Sequence, residues 1–171
     1  MRKSGLVTFT SPRGVIPQYL QAEIEARRAG AKFIEAEHML LAIAREGDTP
    51  AGRALISAGL DHQRLVDALR DERQRSLAVA GVARPAAIPT DAIEPDRAIS
   101  LGTSAKAALI RALHARREQC SHRRLQSADV LVGILGAELG TVPRALAIAG
   151  VDRAALIARA REGAEVSRQQ C

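Results

Sequence analysis

The residues best suited to binding chemistry lie at the starts of two predicted helices. The first start holds Ala36, Glu37 and His38, and Ser127, Ala128 and Asp129 occupy the equivalent places at the second. A helix N-terminus offers free N–H groups to an anion, and a carboxylate in its first turn can hold a guanidinium through charge-assisted hydrogen bonds. The N-terminus of the first helix therefore offers a carboxylate and that of the second a hydroxyl, and both are candidate ligand-binding sites.

The same residues also have purely structural interpretations. An acidic residue in a first turn stabilises the helix dipole by roughly 0.3 to 1 kcal/mol whatever it binds, which would be enough to explain Glu37. His38 lies at helical spacing beside apolar residues, which is typical of a packed or hydrogen-bonded histidine. The arginine pairs at 116–117 and 123–124 could contact phosphates, but such pairs are more often a solvated face.

Catalytic and metal-binding motifs are missing from the sequence. Cys120 and His122 could share a metal, but two ligands without a second pair make a poor site. No Ser/His/Asp or Cys/His set converges along the chain. Residues 47–53 have the glycine spacing of a nucleotide-binding loop, yet Arg53 stands where that motif needs lysine. We therefore predict a protein that is not an enzyme, with no cofactor and no metal.

The helices that carry these residues belong to an internal duplication. Residues 36–65 align with residues 127–156 without a gap at an offset of 91 and agree at nine of thirty positions. The matched residues are mostly apolar, small or helix-ending, so the duplication concerns a packing unit rather than a catalytic motif. They are Leu40/Leu131, Ile43/Ile134, Arg53/Arg144, Ala54/Ala145, Leu55/Leu146, Ala58/Ala149, Gly59/Gly150, Asp61/Asp152 and Leu65/Leu156.

Capping residues predict four helices in each copy. In the first copy they cover residues 18–29, 36–46, 50–58 and a stretch from the Asp61 cap to about Leu77. In the second they cover 104–118 with Thr103 or Ser104 as cap, 128–138 with Ser127 as cap, a helix opened by Thr141 and stopped by Gly150, and one capped by Asp152. Pro17 favours a break near the start of the first helix.

These predictions define an all-α fold of eight helices, a tandem and pseudo-symmetric duplication of a four-helix repeat. Repeat 1 is predicted over residues 9–78 and repeat 2 over 101–163, and the two pack as one domain. A segment over 79–100, interrupted by three prolines, joins them as an extended linker.

Composition favours a soluble, cytoplasmic protein. Apolar residues make up 47% of the chain, yet no run of about 18 of them suggests a membrane span or a signal peptide. The net charge is +6, and residues 1–85 hold 13 basic and 10 acidic side chains against 12 and 9 in residues 86–171. A nucleic-acid-associated regulator is therefore the alternative function, disfavoured by this even charge distribution and by the scarcity of aromatic residues.

Five segments of the first copy carry a pattern shared with a known family. They are residues 9–11, 22–27, 33–47, 54–55 and 58–59, which read Phe-Thr-Ser, Ala-Glu-Ile-Glu-Ala-Arg, Phe-Ile-Glu-Ala-Glu-His-Met-Leu-Leu-Ala-Ile-Ala-Arg-Glu-Gly, Ala-Leu and Ala-Gly. Together they resemble the Clp N-terminal repeat. In ClpC and ClpA type AAA+ unfoldases this module occurs twice in tandem at the front of the chain. The second copy here matches mainly in its apolar and glycine positions.

The resemblance implies a domain that recruits substrate proteins and adaptors to a ClpC-type chaperone-protease, here without the ATPase. It also implies binding of phosphoarginine-marked proteins and of some cyclic peptide antibiotics. Ala36, Glu37 and His38 match the family's Thr-Glu-His with the threonine replaced. An apolar groove between the copies would be a second binding surface, with Phe9 and Thr10 in its wall.

Overall fold

Eight helices make up nearly all of the structure, a computed structural model that describes residues 16–81, 99–118 and 125–169. The predicted all-α fold of two four-helix repeats is confirmed. The helices are α1 (Ile16–Arg28), α2 (Ala36–Arg45), α3 (Pro50–Ser57), α4 (His62–Val79), α5 (Thr103–Glu118), α6 (Ser127–Leu135), α7 (Thr141–Ile148) and α8 (Arg153–Gln169).

The caps of repeat 1 follow the sequence signals. The Thr49 hydroxyl accepts a hydrogen bond from the N–H of Gly52 at 3.0 Å, with Pro50 as the first residue of α3. The Asp61 carboxylate accepts one from the N–H of Arg64 at 2.7 Å. Side-chain acceptors satisfy N–H groups that a helix start would otherwise leave without partners, so each cap fixes its helix by roughly 1 kcal/mol.

The boundaries of repeat 2 differ from the predicted ones. Ser127 is the first residue of α6 rather than its cap, and Gln126 takes the cap position in an extended conformation. The helix α7, by contrast, opens at Thr141 as predicted, after Gly140 at a φ of 120°. The helix α6 ends at Leu135 instead of residue 138, because Gly136 follows as the C-cap.

The third helix of each repeat packs mainly against the other repeat. The helix α3 contacts α8 and α6, and α7 contacts α4 and α2. The first two helices of each repeat pair locally, α1 with α2 and α5 with α6. Because α3 and α7 are exchanged in this way, neither repeat can bury its apolar surface without the other.

The core lies where α2 and α6 meet the exchanged helices. Its fully buried side chains come from both copies and include several matched pairs of the duplication. Burying one such leucine or isoleucine contributes roughly 1.5 to 3 kcal/mol, so these pairs dominate the stability of the fold. The matched, fully buried residues are Leu40 with Leu131, Ile43 with Ile134, Leu55 with Leu146 and Leu65 with Leu156.

A buried carboxylate ties α1 to α2 and α4. Glu25 is 4% exposed, and its Oε1 lies 2.5 Å from the Nε of Arg45, while Oε2 lies 3.4 Å from the Nε2 of His62. Burial alone would raise the pKa of Glu25, but the hydrogen bond and charge of Arg45, with His62 beside it, lower it overall. Glu25 is therefore held as a carboxylate and fixes α1 against its neighbours.

Backbone hydrogen bonds join the α1–α2 loop to the segment before α5. The N–H of Ile34 donates to the Ser100 carbonyl at 2.9 Å, and the Gly102 N–H donates to the Ile34 carbonyl at 2.8 Å. The Tyr19 hydroxyl donates to the Ile99 carbonyl at 3.0 Å. The predicted linker thus returns to the body of the protein by residue 99, and its residues 82–98 lie outside the described part.

No helix within residues 16–81, 99–118 and 125–169 combines the length and apolarity needed for crossing a bilayer.

Candidate functional site

An open cleft of about 380 Å³ lies between the two repeats. One wall is formed by the start of α2, with Glu35, Ala36 and Glu37. We call the part lined by the start of α5 the floor, and the part lined by the end of α6, the α6–α7 loop and the start of α7 the second wall. The cleft therefore contains the predicted site residues Ala36 and Glu37, and it exists only because the repeats are joined.

Hydrogen bonds between repeats fix the start of α2. The Ser104 N–H and hydroxyl donate to the Oε2 of Glu35 at 2.9 and 2.6 Å, and the Ala36 N–H donates to the Ser104 Oγ at 2.8 Å. Gly102 leaves room for this arrangement, because a Cβ at that position would overlap the Glu35 carboxylate where it now lies. We call Glu35, Ala36 and Ser104 the inter-repeat network, and it holds one wall of the cleft against its floor.

Glu37 is the partly exposed carboxylate of the cleft. Burial raises its pKa above the ordinary value, a bond from its own backbone N–H opposes the rise, and the charges of Glu35 and Glu72 add to it while that of Arg73 reduces it. A cation that approaches a carboxylate in this environment stabilises its ionised form. Glu37 is therefore suited to holding a cationic group.

His38 has a structural position next to this carboxylate. It is 5% exposed, and its Nδ1 accepts a hydrogen bond from the N–H of Glu35 at 2.9 Å. Burial lowers the pKa of His38, and the carboxylates of Glu35 and Glu25 only partly oppose that effect. The imidazole is thus neutral, acts as an acceptor at the start of α2 and does not line the cleft.

The structure does not bring the two predicted sites together. Ser127 and Asp129 are 8% and 7% exposed, and neither lines the cleft. The Oδ2 of Asp129 accepts a hydrogen bond from the Gln126 N–H at 2.9 Å, the bond that His38 makes in repeat 1. Asp129 therefore caps its own helix, and the start of α6 is not a second copy of the cleft.

The second wall of the cleft is apolar. Leu139 is 89% exposed, and Ile134, Val142 and Pro143 continue its surface along the cleft. The helix α7 begins there without a side-chain cap. The cleft thus combines carboxylates on one side, an apolar surface on the other and an uncapped helix start at one end.

The sequence profile of the Clp repeat N-terminal domain matches residues 20–149. That range includes both walls of the cleft and most of both repeats. The chain belongs to the Clp repeat N-terminal domain family. Domains of this family bind substrates and adaptors of Clp chaperones.

Solved Clp N-terminal domains share the fold. The N-terminal domain of the chaperone ClpD from Arabidopsis thaliana superposes with a TM-score of 0.64 at 17% identity, over 98% of this chain and 99% of that one. The Hsp104 N-terminal domain from Candida albicans gives 0.58 at 16% identity, over 86% and 87%. A search of curated proteins gave no match. At these identities the likeness establishes the fold alone.

Sequence reasoning missed several residues of this Clp repeat domain's cleft. Glu35 and Ser104 are 69 residues apart, so no local pattern links them. Leu139 had a signal, since it is an apolar residue in a short loop between two glycines. Phe9, Thr10, Cys120, His122 and the 123–124 arginine pair lie outside the described residues. Within the described part, no cluster of three or more His, Cys, Asp or Glu side chains is placed to hold a metal.

Proposed function

We propose that this Clp repeat domain is a non-enzymatic module that binds peptides or protein segments in the cleft between its repeats. It would recruit or sequester substrates and adaptors of a ClpC-type chaperone-protease. The observation that carries the proposal is the cleft itself, which pairs the Glu37 carboxylate with the exposed Leu139 on a framework fixed by hydrogen bonds between repeats. Such convergence of a few polar groups on an apolar cleft is typical of ligand sites.

A degradation assay tests the direction of the effect. The purified domain is added to a ClpC-type chaperone-protease that is degrading a fluorescent substrate. Recruitment predicts faster loss of fluorescence, and sequestration predicts slower loss, because bound substrate is withdrawn from the enzyme. An unchanged rate, together with no binding of the substrate, of its adaptor or of a cyclic peptide antibiotic in calorimetry, would contradict the proposal.

Phosphoarginine is the small ligand that the family resemblance predicts for Ala36, Glu37 and His38. If this ligand binds here, the Glu37 carboxylate would hold the guanidinium and the uncapped start of α7 would receive the phosphate. Calorimetric titration with free phosphoarginine tests this ligand, with Glu37→Gln as the site variant. Asp67→Asn is the matched control, since Asp67 is a half-exposed carboxylate on α4 that does not line the cleft.

The nucleic-acid alternative is tested by DNA binding at low and moderate salt. Binding that falls steeply as salt rises would support it, because released counterions drive such association.

A further inference from the structure

We infer that the cleft selects an unmodified arginine or lysine side chain next to an apolar residue, in preference to a phosphorylated one. The inference rests on the proposed function and names the chemistry of the peptide that the cleft would take. Three features of the cleft support it: its charge, the state of its N–H groups and the shape of its apolar wall.

The charged groups of the cleft favour a cation. Two carboxylates, Glu35 and Glu37, line it. Among the described lining residues the one cationic side chain is Arg111, whose Nε already donates to the Gly133 carbonyl at 2.7 Å. A phosphate brought into this space would meet two carboxylates at close range, whereas a guanidinium or ammonium would complement them.

Two of the N–H groups at the start of α2 are already in use. The Ala36 N–H donates to the Ser104 Oγ at 2.8 Å, and the His38 N–H donates to the Glu35 carbonyl at 3.1 Å. The Ser104 hydroxyl, which has a single proton, donates it in a hydrogen bond to the Glu35 carboxylate. These groups would help the start of α2 to attract a phosphate, so their internal use weakens that attraction beside the two carboxylates.

The apolar wall suits the rest of a basic residue and its neighbour. Lysine and arginine place long aliphatic stems on apolar surface while the charged head stays at a polar edge. Leu139, Val142 and Pro143 offer such a surface in the second wall. A volume of about 380 Å³ accommodates a long side chain together with an adjacent apolar residue.

Fluorescence anisotropy with three labelled peptides tests the inference. Each peptide is acetylated and carries one central residue flanked by leucines, and that residue is arginine, citrulline or phosphoarginine. We expect the arginine peptide to bind at least about tenfold more tightly than either of the others, since one charge-assisted hydrogen bond is worth about that factor. Glu37→Gln should remove most of the difference between arginine and citrulline, and Asp67→Asn should leave it unchanged.

A second variant separates the apolar wall from the charge. Leu139→Ser, at an exposed position, should weaken all three peptides by a similar factor and leave the preference for arginine intact. Circular dichroism confirms that each variant is folded.

Two results would overturn the inference. Equal binding of the arginine and citrulline peptides would show that the cleft does not recognise the positive charge of the central side chain. Tighter binding of the phosphoarginine peptide would show that the phosphate is accepted, and the proposed function would still stand. If no peptide binds, this inference fails, while the degradation assay independently decides the proposed function.

Discussion

The two repeats differ more at their polar positions than in their cores. Leu40 and Leu131 are both essentially buried, at 1% and 0% exposure, and they occupy matched positions. The first-turn residues His38 and Asp129 also match in position and accept the same backbone hydrogen bond, yet one is an imidazole and the other a carboxylate. The packing unit thus tolerates a change of polar chemistry as long as the acceptor stays in place.

The environments of the two helix starts differ as well. The start of α2 lines an open cleft, whereas Ser127, Ala128 and Asp129 at the start of α6 are buried. The difference arises outside the matched residues, because the α6–α7 loop, with Leu139, forms part of the second wall of the cleft. Duplication of a helix start is therefore insufficient to duplicate a binding site.

The largest expected effect tests whether the cores are equivalent. Leu40→Ala and Leu131→Ala should each lower the free energy of unfolding by about 2 to 5 kcal/mol, because each removes fully packed methyl groups and leaves a cavity. Chemical denaturation followed by circular dichroism measures both. Leu20→Ala is the control: Leu20 is 55% exposed, so the change should stay within about 0.5 kcal/mol.

Equivalence of the cores also predicts a single unfolding transition, since α3 and α7 each pack on the opposite repeat. Two separate transitions, each shifted by only one of the leucine variants, would contradict it.

The next effect concerns the closer approach of α5 to α6. A Cβ at Gly133 would overlap the Ala108 carbonyl oxygen and lie 2.9 Å from the Ala112 backbone nitrogen, whereas the matched residue in α2 is Ala42. Gly133→Ala should therefore destabilise the fold by about 1 to 3 kcal/mol despite the better helix propensity of alanine. Thermal unfolding measures it, and a more stable variant would show that the helices can separate at no cost.

The reverse substitution provides the comparison. Ala42→Gly relieves no clash and loses helix propensity, so a decrease of about 1 kcal/mol is expected.

A smaller effect distinguishes the matched arginines. The Arg144 Nε lies 2.7 Å from the Oε1 of Glu72, which is 4% exposed, and joins α7 to α4. Arg144→Ala should cost about 1 to 2 kcal/mol, because among the described residues the buried carboxylate then keeps the Ser76 hydroxyl as its hydrogen-bond partner. The expected loss of stability is limited because the Arg144 side chain is 58% exposed, so solvent partly screens its charge.

Arg53→Ala is the matched control for this pair. The Arg53 guanidinium donates a hydrogen bond to the Asp48 carbonyl of its own loop at an exposed site, so a change within about 0.5 kcal/mol is expected. Equal effects of the two substitutions in urea denaturation would mean that the Glu72 pair adds nothing to the junction between repeats.

Local sequence signals were sufficient for the fold. Proline after Thr49 and the acidic caps at Asp61 and Asp152 act within one helical turn, so residue types at short spacing determine where those helices begin. The errors fell where a less usual residue took the cap. Gln126 precedes the better capping residue Ser127, and the prediction chose Ser127 as the cap.

The cleft could be predicted only in part. Glu37 was predicted because an acidic residue in the first turn of a helix can be recognised from the sequence of that helix alone. Ser104 was assigned to its own helix, but its hydroxyl serves Glu35 and Ala36 in the other repeat. That pairing depends on how the repeats dock, which in turn depends on the exchange of α3 and α7, and no spacing along the chain encodes it.

The smallest expected effect separates His38 from its counterpart Asp129 by pH. Burial lowers the pKa of His38, so the unfolded chain takes up a proton nearer the ordinary value of 6.5 than the folded chain does. The stability that the neutral imidazole contributes is therefore present above pH 6.5 and is lost as the pH falls below it. His38→Asn keeps an acceptor for the Glu35 N–H but cannot titrate, so its stability should fall less than that of the wild type between pH 7 and 5.5.

The comparison must be made as a difference between proteins, because Glu37 changes stability in the opposite direction. Because the pKa of Glu37 is raised in the folded state, protonation of this carboxyl group stabilises the fold as the pH falls toward the ordinary pKa of 4.5. This contribution is common to the wild type and His38→Asn. Urea denaturation at several pH values gives the difference directly. Parallel curves for the wild type and His38→Asn would show that the imidazole is as readily protonated in the fold as outside it, and the two first-turn acceptors would then be equivalent in charge as well as in position.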